Sequence, residues 1–469
     1  MRKVRARSVS TGKVYLCRGV SQHACAVELL IRNATVVTMN ASREVLRDAD
    51  VLVDGNRIAS VGPHSRARRR HATRVIDGRG LVVLPGLIHS HLHACQTLCR
   101  NHADGLELLD WLRERIWPFE ASHDAASMRA SADLTFLELI SSGATACLDM
   151  GSVRHYDAVF ESARDAGIRL VGGKCMMDAG QGVPSGLRES TEHSLAESVR
   201  LLEKWHRTEN GRLTYAFAPR FVLSCTEGLM RRVAELARAK DVRIHTHASE
   251  NPTECDLVRE KTGYDNVAWF NELGLLGPQT TLAHCVWLTT EEQRLLRETR
   301  TCVCHCPSAN FKLASGLAKI PELVQQGVTV GLGADGAPCN NTLDIFHELR
   351  LAALIHLPRV GPTGFPAMQA LELATVNGAR ALGLEHEVGS IEVGKKADLT
   401  LVDVGGTHLT PVSDDPVATI VYSAQSRDVR HVVIDGQVVL RDRQPTTMDP
   451  TAVRRAARAH AARLLERLG

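Results

Sequence analysis

The sequence lacks several features that would place it in broad functional classes. Its 469 residues carry a formal net charge of only +3, which argues against nucleic-acid binding driven by phosphate attraction. No apolar run approaches the ~18 residues that a membrane-spanning helix needs. Residues 1–27 also lack the continuous apolar core of a secretory signal. We therefore expect a cytoplasmic protein that binds neither nucleic acid nor a membrane.

The first 27 residues also contain no Asp or Glu, although they contain many Arg and Lys. This composition predicts a flexible tail, with an over-extended start codon or an organelle-targeting peptide as alternatives. The thirteen cysteines of the chain are interpreted as buried thiols, because a long chain without an export signal has little use for disulfides. Cys95 and Cys339 are given no role.

The order of strand-like and helix-like segments predicts an α/β fold. Short strands fill residues 29–84 and return near residues 389–402 and 432–440, whereas helical stretches such as Asp124–Ser142 and Thr226–Ala239 alternate with apolar strands between them. That alternation is typical of a parallel barrel. The predicted parts are a flexible tail (1–27), a discontinuous β-sandwich domain formed by both chain ends (28–84 plus 388–445), a TIM-type (β/α)8 barrel (85–387) and a C-terminal helix (446–469).

A pair of histidines, His91 and His93, ends the apolar run Leu81–Ile88. The run has the length and composition of a buried strand. Because alternate residues of a strand point to the same side, both imidazoles are expected on one face. Two neutral imidazoles side by side suit the first two ligands of a Zn²⁺-like ion.

Three further polar signals follow, each at the end of an apolar, β-rich segment. They are His247 with Glu250, then His284, then Asp335. Side chains that arrive singly at successive strand ends suit a barrel whose functional groups gather at the carboxyl face of its strands. A lone strand-end histidine is usually structural, but the four signals together predict a metal site.

These motifs resemble those of the amidohydrolase superfamily, and within it the aminohydrolase branch of S-adenosylhomocysteine/methylthioadenosine deaminases, guanine deaminases and s-triazine hydrolases. The resemblance runs from about Ile31 to about Arg441. Pro85-Gly-Leu-Ile-His-Ser-His91-Leu-His93 is similar to the first metal motif, with His89 where Asn or Asp is usual. The segments His305-Cys-Pro-Ser-Ala-Asn310 and Gly333-Ala-Asp335-Gly-Ala-Pro-Cys-Asn-Asn are similar to stretches of these deaminases.

The resemblance implies a hydrolytic deaminase with one divalent metal ion, for which we favour Zn²⁺, with Fe²⁺ as the alternative. The implied metal ligands are His91, His93, His247 and Asp335. The implied catalytic residues are Glu250 as proton shuttle, His284 as stabiliser of the developing oxyanion, and Asp335 as the carboxylate that orients water.

The sequence lacks residues that two other types of metal site require. The segment Leu213–Phe221 has no Lys, whereas dinuclear relatives usually carry a bridging carboxylated Lys on the fourth strand, so a single metal is expected. Pro338-Cys339-Asn-Asn-Thr has no second Cys, which excludes the zinc site of cytidine-deaminase-type enzymes.

The resemblance leaves the substrate open, because the implied binding residues point in different directions. Trp111 and Glu120 match positions that contact the sugar in nucleoside deaminases, whereas Gln96 and Arg220 match the guanine-holding pair of guanine deaminases. Glu250 would also contact the purine, and a homocysteine carboxylate would meet Arg188 or Lys174.

The residues after Asp335 are similar to those of adenosine-type and triazine enzymes. We therefore favour an adenosine-type nucleoside with a modified 5′ end: S-adenosylhomocysteine, methylthioadenosine or 5′-deoxyadenosine. The alternatives are a guanine or oxidised-guanine deaminase, an s-triazine hydrolase, and an inactive binding relative. A homo-oligomer acting on a small-molecule aminopurine is expected.

Overall fold

The computed structural model of the protein describes residues 29–63 and 72–468. The predicted flexible tail, residues 1–27, therefore lies outside the described residues. Where the described chain is helical, no helix is both long enough and apolar enough to cross a membrane.

Strands form two separate sheets. The strands are β1 (Leu29–Val37), β2 (Val45–Asp54), β3 (Arg57–Pro63), β4 (Arg74–Asp77), β5 (Leu81–Pro85), β6 (Leu87–Leu92), β7 (Ala144–Met150), β8 (Arg169–Gly173), β9 (Cys175–Met176), β10 (Leu213–Pro219), β11 (Arg243–Ala248), β12 (Thr280–His284), β13 (Cys302–His305), β14 (Val330–Leu332), β15 (Leu399–Asp403), β16 (Val429–Ile434), β17 (Gln437–Arg441) and β18 (Gln444–Pro445).

Helices connect most barrel strands and cover the barrel. They are α1 (Leu108–Trp111), α2 (Trp117–Ala121), α3 (Ala125–Ser141), α4 (Tyr156–Ala166), α5 (Thr191–Trp205), α6 (Thr208–Gly211), α7 (Glu227–Lys240), α8 (Pro252–Thr262), α9 (Asn266–Glu272), α10 (Thr290–Thr299), α11 (Pro307–Lys312), α12 (Ile320–Gln325), α13 (Ala337–Asn340), α14 (Ile345–Ile355), α15 (Leu357–Val360), α16 (Ala367–Leu373), α17 (Val376–Leu382), α18 (Pro416–Ala418) and α19 (Pro450–Leu468). Short 3-10 or π turns occupy Ala94–Cys99, Leu112–Ile116, Val222–Ser224, Thr407–Leu409, Thr419–Ser423 and Ser426–Asp428.

The central sheet is a barrel of parallel strands in the order β6-β7-β8-β10-β11-β12-β13-β14, with the short β9 paired to β10. A parallel bridge between Leu92, at the end of β6, and Asp335, just after β14, joins the first strand to the last. The amide of Asp335 donates to the carbonyl of His91 at 3.2 Å across this seam. The predicted TIM-type (β/α)8 barrel is therefore confirmed.

Both ends of the chain build the second sheet, in the order β18-β17-β16-β15-β5-β1-β2-β3, with β4 also paired to β1. The pairing is mostly antiparallel, and β15 from the late segment lies directly beside β5 from the early one. Side chains from both segments, such as Val36, Val51, Leu399 and Val433, form one buried apolar cluster. This confirms a β domain assembled from both termini.

Helix boundaries follow the capping residues that the sequence offers. Helix α3 begins after Asp124, whose carboxylate accepts from the amide of Ser127 in a capping box. Helix α7 begins after Thr226, which accepts from the amide of Leu229. Side chains of this kind satisfy amide groups that the first turn leaves unpaired. Both helices lie within one or two residues of the predicted segments.

Candidate active site

The predicted ligands meet at the carboxyl ends of the barrel strands. His91 lies at the end of β6 and His93 just after it, His247 lies on β11, and Asp335 follows β14. Nε2 of His93 is 3.3 Å from Nε2 of His247. One carboxylate oxygen of Asp335 lies 3.3 Å from Nε2 of His91 and 3.4 Å from Nε2 of His93. Four groups separated by up to 244 positions in the chain therefore converge on one point.

Backbone carbonyls orient two of the imidazoles. Nδ1 of His93 lies 2.7 Å from the carbonyl oxygen of Met150, and Nδ1 of His247 lies 2.7 Å from that of Arg220. A carbonyl oxygen can only accept, so each Nδ1 must carry the proton and donate. The Nε2 atom of each ring then presents a lone pair to the site, as a metal ligand requires.

A further histidine, His245, orients His91. Nδ1 of His245 lies 3.0 Å from the carbonyl oxygen of Thr281 and must donate to it, so its Nε2 is an acceptor. That Nε2 lies 2.7 Å from Nδ1 of His91, which therefore donates. The remaining nitrogen of His91, Nε2, is buried and has no hydrogen-bond partner among the described residues. Its lone pair is directed at the site, like those of His93 and His247.

The donor set fits a transition-metal ion. Three neutral imidazole nitrogens and one carboxylate are the ligand type and number that suit Zn²⁺ and related ions. In two overlapping groups, His91 with His93 and His247, and His91 with His284 and Asp335, the candidate ligand atoms all lie within 4.8 Å of one another. The buried lone pair on Nε2 of His91 accepts no hydrogen bond, and such an unpaired polar atom costs free energy. A cation bound at this point would remove that cost.

Burial and the neighbouring charges set the protonation states that metal binding needs. Burial lowers the pKa of His93 to about 3 and holds the pKa of His247 well below its usual value. Burial alone would raise the pKa of Asp335, but the neighbouring His91, followed by His284 and His93, favours the ionised carboxylate and holds the pKa well below its usual range. Neutral imidazoles beside an ionised carboxylate are the forms that bind metal ions.

The backbone at Asp335 and His284 is strained. Both residues adopt left-handed conformations, with φ values of 61° and 71°. Such conformations cost of order 1–3 kcal/mol in non-glycine residues and persist where the surroundings impose them. Gly336 follows Asp335, and a Cβ atom there would lie 2.0 Å from Oε1 of Gln96. The backbone conformation after β14 thus directs the carboxylate of Asp335 into the site.

Glu250 and His284 face each other beside the ligands. Nε2 of His284 is 3.4 Å from Oε2 of Glu250 and 3.8 Å from a carboxylate oxygen of Asp335. Nδ1 of His284 lies 2.9 Å from Oδ1 of Asn310, which orients the ring. Burial raises the pKa of Glu250 to about 7. For His284 burial lowers the pKa, but Glu250 and Asp335 outweigh it and raise the pKa overall.

A pocket opens onto these groups and encloses about 350 Å³ when the open solvent at its mouth is included. The residues that line it are His93, Leu108, Trp111, Leu112, Arg220, Phe221, His247, Glu250, His284 and Asp335. The lining combines polar groups suited to chemistry with apolar side chains, which is the common construction of a small-molecule site. Nε1 of Trp111 is buried without a hydrogen-bond partner in the described structure, so this indole still offers a donor.

The residues that sequence similarity assigned to rival substrates form one cluster. Both Nη atoms of Arg220 donate to the carboxylate of Glu120, at 2.6 and 3.2 Å. The amide nitrogen of Gln96 donates to the same carboxylate at 2.8 Å. Glu120 and Gln96 are absent from the pocket lining, whereas Arg220 and Trp111 belong to it. The Arg220 guanidinium is therefore already engaged by a carboxylate.

The two candidates for a substrate carboxylate lie outside the pocket lining. Lys174 is fully buried, and its ammonium lies 2.5 Å from a carboxylate oxygen of Glu189 and 3.3 Å from Oγ of Ser194. Arg188 is exposed and donates to the carbonyl of Gly180. The structure thus gives Lys174 an internal partner and places Arg188 on a loop beyond the pocket.

The described cysteines are all buried and free, as predicted. Cys95 and Cys339, which flank the metal motifs, have pKa values raised well above the usual range by burial. Thiols of this kind are poor nucleophiles because the thiolate is the reactive form. Neither is a candidate for the chemistry.

Sequence reasoning missed the roles of His245 and Asn310. The spacing of His245 and His247 on one strand, two residues apart, could have indicated that both rings point into the barrel. Asn310 was noted only as part of a similar stretch. Its contact with His284 joins helix α11 to the end of β12, which a single sequence does not reveal.

We expect His245→Leu to weaken metal binding about 10–100-fold, the usual cost of losing a group that orients a ligand. The variant removes the acceptor that holds the Nδ1 proton of His91. His245→Gln is the matched control, because an amide offers both an acceptor and a donor and should keep most of the affinity. Competition with a chromogenic zinc chelator measures both constants, and equal affinity of His245→Leu and the unaltered protein would contradict this role.

The comparisons with known proteins agree with the fold. The model of the amidohydrolase family matches residues 82–439, and the chain belongs to this family.

Its relatives within the family include named deaminases. The chain is 36% identical to the 5′-deoxyadenosine deaminase of Methanosarcina acetivorans over 94% of its length and 99% of that protein. It is 40% identical to the 5-methylthioadenosine/S-adenosylhomocysteine deaminase of Moorella thermoacetica over 90% of its length and 96% of that protein. An adenosine deaminase from Xanthomonas campestris, crystallised with bound zinc, superposes with a TM-score of 0.87 at 30% identity, covering 94% of this chain and 99% of that one.

Proposed function

We propose that the protein is a metal-dependent hydrolytic deaminase of an adenosine-type nucleoside with a modified 5′ end. The observation that carries the proposal is the convergence of a metal-ligand set, Glu250 and His284 in one pocket at the carboxyl face of the barrel. The names of the relatives support the adenosine-type substrate class. An inactive binding relative would have no need to hold Glu250 and His284 against the ligands.

The proposed reaction exchanges the exocyclic amine of the purine for oxygen. A bond forms between C6 and the oxygen of water, the bond from C6 to nitrogen breaks, and ammonia leaves. A divalent metal held by His91, His93, His247 and Asp335 would supply water that is ionised near neutral pH. Zn²⁺ is the proposed ion, because three imidazoles and a carboxylate suit it and a structural neighbour contains zinc.

The remaining steps fall to side chains of the protein. Glu250 is positioned to take a proton from the water and deliver it to the purine ring nitrogen, which makes the adjacent carbon easier to attack. One of its carboxylate oxygens, Oε1, is buried and without a partner in the described structure, so it is available for that transfer. His284, oriented by Asn310, is positioned to stabilise the charge that develops on the oxygen.

The ion pair between Arg220 and Glu120 favours a nucleoside over guanine. A guanine site would use Arg220 to bind a purine carbonyl, but both Nη atoms already donate to Glu120. If the Nη atoms donated to a neutral carbonyl instead, the buried Glu120 carboxylate would lose its cationic partner. An unpaired buried charge costs several kcal/mol of free energy. The pair instead holds Glu120 in an ionised, fixed state next to the pocket wall.

Steady-state ammonia release from a small set of purines tests the proposal. The substrates are 5′-deoxyadenosine, methylthioadenosine, S-adenosylhomocysteine, adenosine, guanine and 8-oxoguanine. We expect kcat/KM for the best 5′-modified adenosine to exceed that for guanine by at least about 10²-fold, because discrimination by buried polar groups has this size or more. Ammonia from guanine alone would overturn the proposed substrate. The predicted homo-oligomer and cytoplasmic location stay predictions, and light scattering checks the first.

A further inference from the structure

Another cavity, here called the interdomain cavity, lies at the opposite end of the barrel from the active-site pocket. Arg169 and Arg243, the first residues of β8 and β11, line it, whereas the active-site pocket lies at the carboxyl ends of the strands. The β domain supplies another part of its wall through Arg57, at the start of β3, and Lys396, shortly before β15. The interdomain cavity encloses about 1120 Å³ with its open solvent side and shares no lining residue with the pocket.

The lining of the interdomain cavity is strongly basic. It contains four arginines and one lysine but only two carboxylates, those of Asp241 and Glu387. Three of the cations have acidic partners, in the ion pairs Arg169–Asp398, Lys396–Asp435 and Arg57–Glu387. Arg207 and Arg243 are the two cations that remain for a ligand.

Arg243 has the least compensation of its charge. Its guanidinium forms no ion pair with the described residues, and Nη2 donates only to the carbonyl of Pro278 at 3.4 Å and to Oγ1 of Thr281 at 3.2 Å. Nε is buried without a partner in the described structure. Burial lowers the pKa of Arg243, and the carboxylate of Glu385 opposes this effect without forming an ion pair with it. A cation that is withdrawn from water without a counter-charge is costly.

The end of helix α17 leaves room for this guanidinium. Gly383 follows the helix with a φ of 69°, and a Cβ atom there would lie 2.6 Å from Nη1 of Arg243. The partial negative charge at the carboxyl end of a helix favours a nearby cation. It nevertheless supplies no acceptor to Nη1, which has no hydrogen bond among the described residues. One edge of the guanidinium therefore still offers donors at the cavity wall.

Two neighbouring side chains of the lining add further donors. Nδ1 of His206 accepts from the amide of Tyr215 at 3.2 Å, so Nε2 of this ring carries the proton. Arg207 lies 3.8 Å from Asp241, and the two side chains are 70% and 94% exposed. An exposed ion pair of this length contributes little free energy. A multiply charged anion can therefore displace Asp241 at small cost.

We propose that the interdomain cavity binds a phosphate group, either as the free ion or as part of a small phosphate ester, with Arg243 and Arg207 as its main cationic contacts. Arginine suits this ligand because its planar guanidinium donates two parallel hydrogen bonds to phosphate oxygens. A bound phosphate supplies the counter-charge that Arg243 lacks. Because residues of the barrel and of the β domain both line the cavity, the ligand also stabilises the folded arrangement of the two.

Calorimetric titration of the full-length protein tests the site, with inorganic phosphate and ribose 5-phosphate as ligands at constant ionic strength. Neither ligand offers an aminopurine to the active-site pocket. We expect a dissociation constant below about 1 mM. In Arg243→Gln binding should weaken about tenfold or more, the range for a buried charge-assisted contact. In Arg207→Gln it should weaken about threefold, because that side chain is exposed.

Arg232→Gln is the matched control. Arg232 lies outside the cavity and forms an exposed ion pair with Glu235 of the same length, 3.8 Å, as the pair of Arg207. Weaker binding in at least one cavity variant, with no change in Arg232→Gln, supports the site. Tighter binding of ribose 5-phosphate than of phosphate then identifies an ester as the ligand, and equal binding identifies the free ion.

No saturable binding of either ligand would overturn the proposal. Equal affinity of Arg243→Gln, Arg207→Gln and the unaltered protein would overturn it too, because the phosphate would then bind elsewhere, for example at the metal site. Melting temperatures of the variants show whether each is folded, and Arg207→Gln changes only an exposed side chain. Deamination is not part of the measurement, so the result is independent of the proposed function.

Discussion

Replacing Glu250 with Gln should lower kcat by about 10²–10⁴-fold, the usual contribution of a positioned general acid–base. The amide has nearly the same shape, but it can neither accept a proton from water nor deliver one to the purine ring. Because Glu250 is not a proposed metal ligand, metal content and melting temperature should stay close to those of the unaltered protein. Steady-state ammonia release and metal analysis of the same preparation measure both quantities.

The matched control is Glu235→Gln, which makes the same chemical change on the exposed surface of α7. Its kinetic constants should equal those of the unaltered protein. A Glu250→Gln variant that retains near-normal turnover would show that another group moves the proton. A variant that loses its metal as well as its activity would show that Glu250 has a structural role at the ligand site.

Removal of the metal should lower the rate by about 10³-fold or more. A metal at such a site lowers the activation free energy by several kcal/mol, and each 1.36 kcal/mol corresponds to about a tenfold change in rate. Prolonged treatment with a chelator should abolish turnover, and one equivalent of Zn²⁺ should restore it. Mg²⁺ should not, because it prefers oxygen ligands and the site offers three imidazoles.

Metal analysis completes this test. The proposed site predicts one equivalent per chain, lost in step with activity during chelation. Full activity in protein with less than about a tenth of an equivalent would end the metal hypothesis. Replacing both His91 and His93 with Ala removes the metal by mutation instead of by chelation, and this variant should lose metal and activity together.

The sequence predicted the barrel and the convergence of its ligands because both depend on local pattern. Apolar runs that end in His or Asp mark strand ends, and parallel strands bring their ends to one face. His91, Glu250 and Asp335 could therefore be expected together without any knowledge of distances. The two predicted helical stretches likewise begin at Asp124 and Thr226, the residues that cap α3 and α7 in the structure, and a cap acts over only three residues.

The contacts that were not predicted join residues far apart in the chain. Arg220 and Glu120 are 100 positions apart, and each was taken separately as a contact for a different substrate. A single sequence does not show that two buried charges compensate each other. The support of His91 by His245 depends on tautomers, which follow from the carbonyl of Thr281 and become visible only in three dimensions.

The bridge between Leu92 and Asp335 has a consequence for how the protein is made. Two of the proposed metal ligands, His91 and Asp335, are also joined by a backbone hydrogen bond between the first barrel strand and the segment after the last, so the proposed ligand set is complete only when the barrel closes. During synthesis, His91, His93 and His247 emerge well before Asp335, and until then the nascent chain presents an incomplete, weaker binding site. A metal ion bound by all four proposed ligands would therefore also stabilise the closed barrel, because it would bind the folded chain and not the unfolded one.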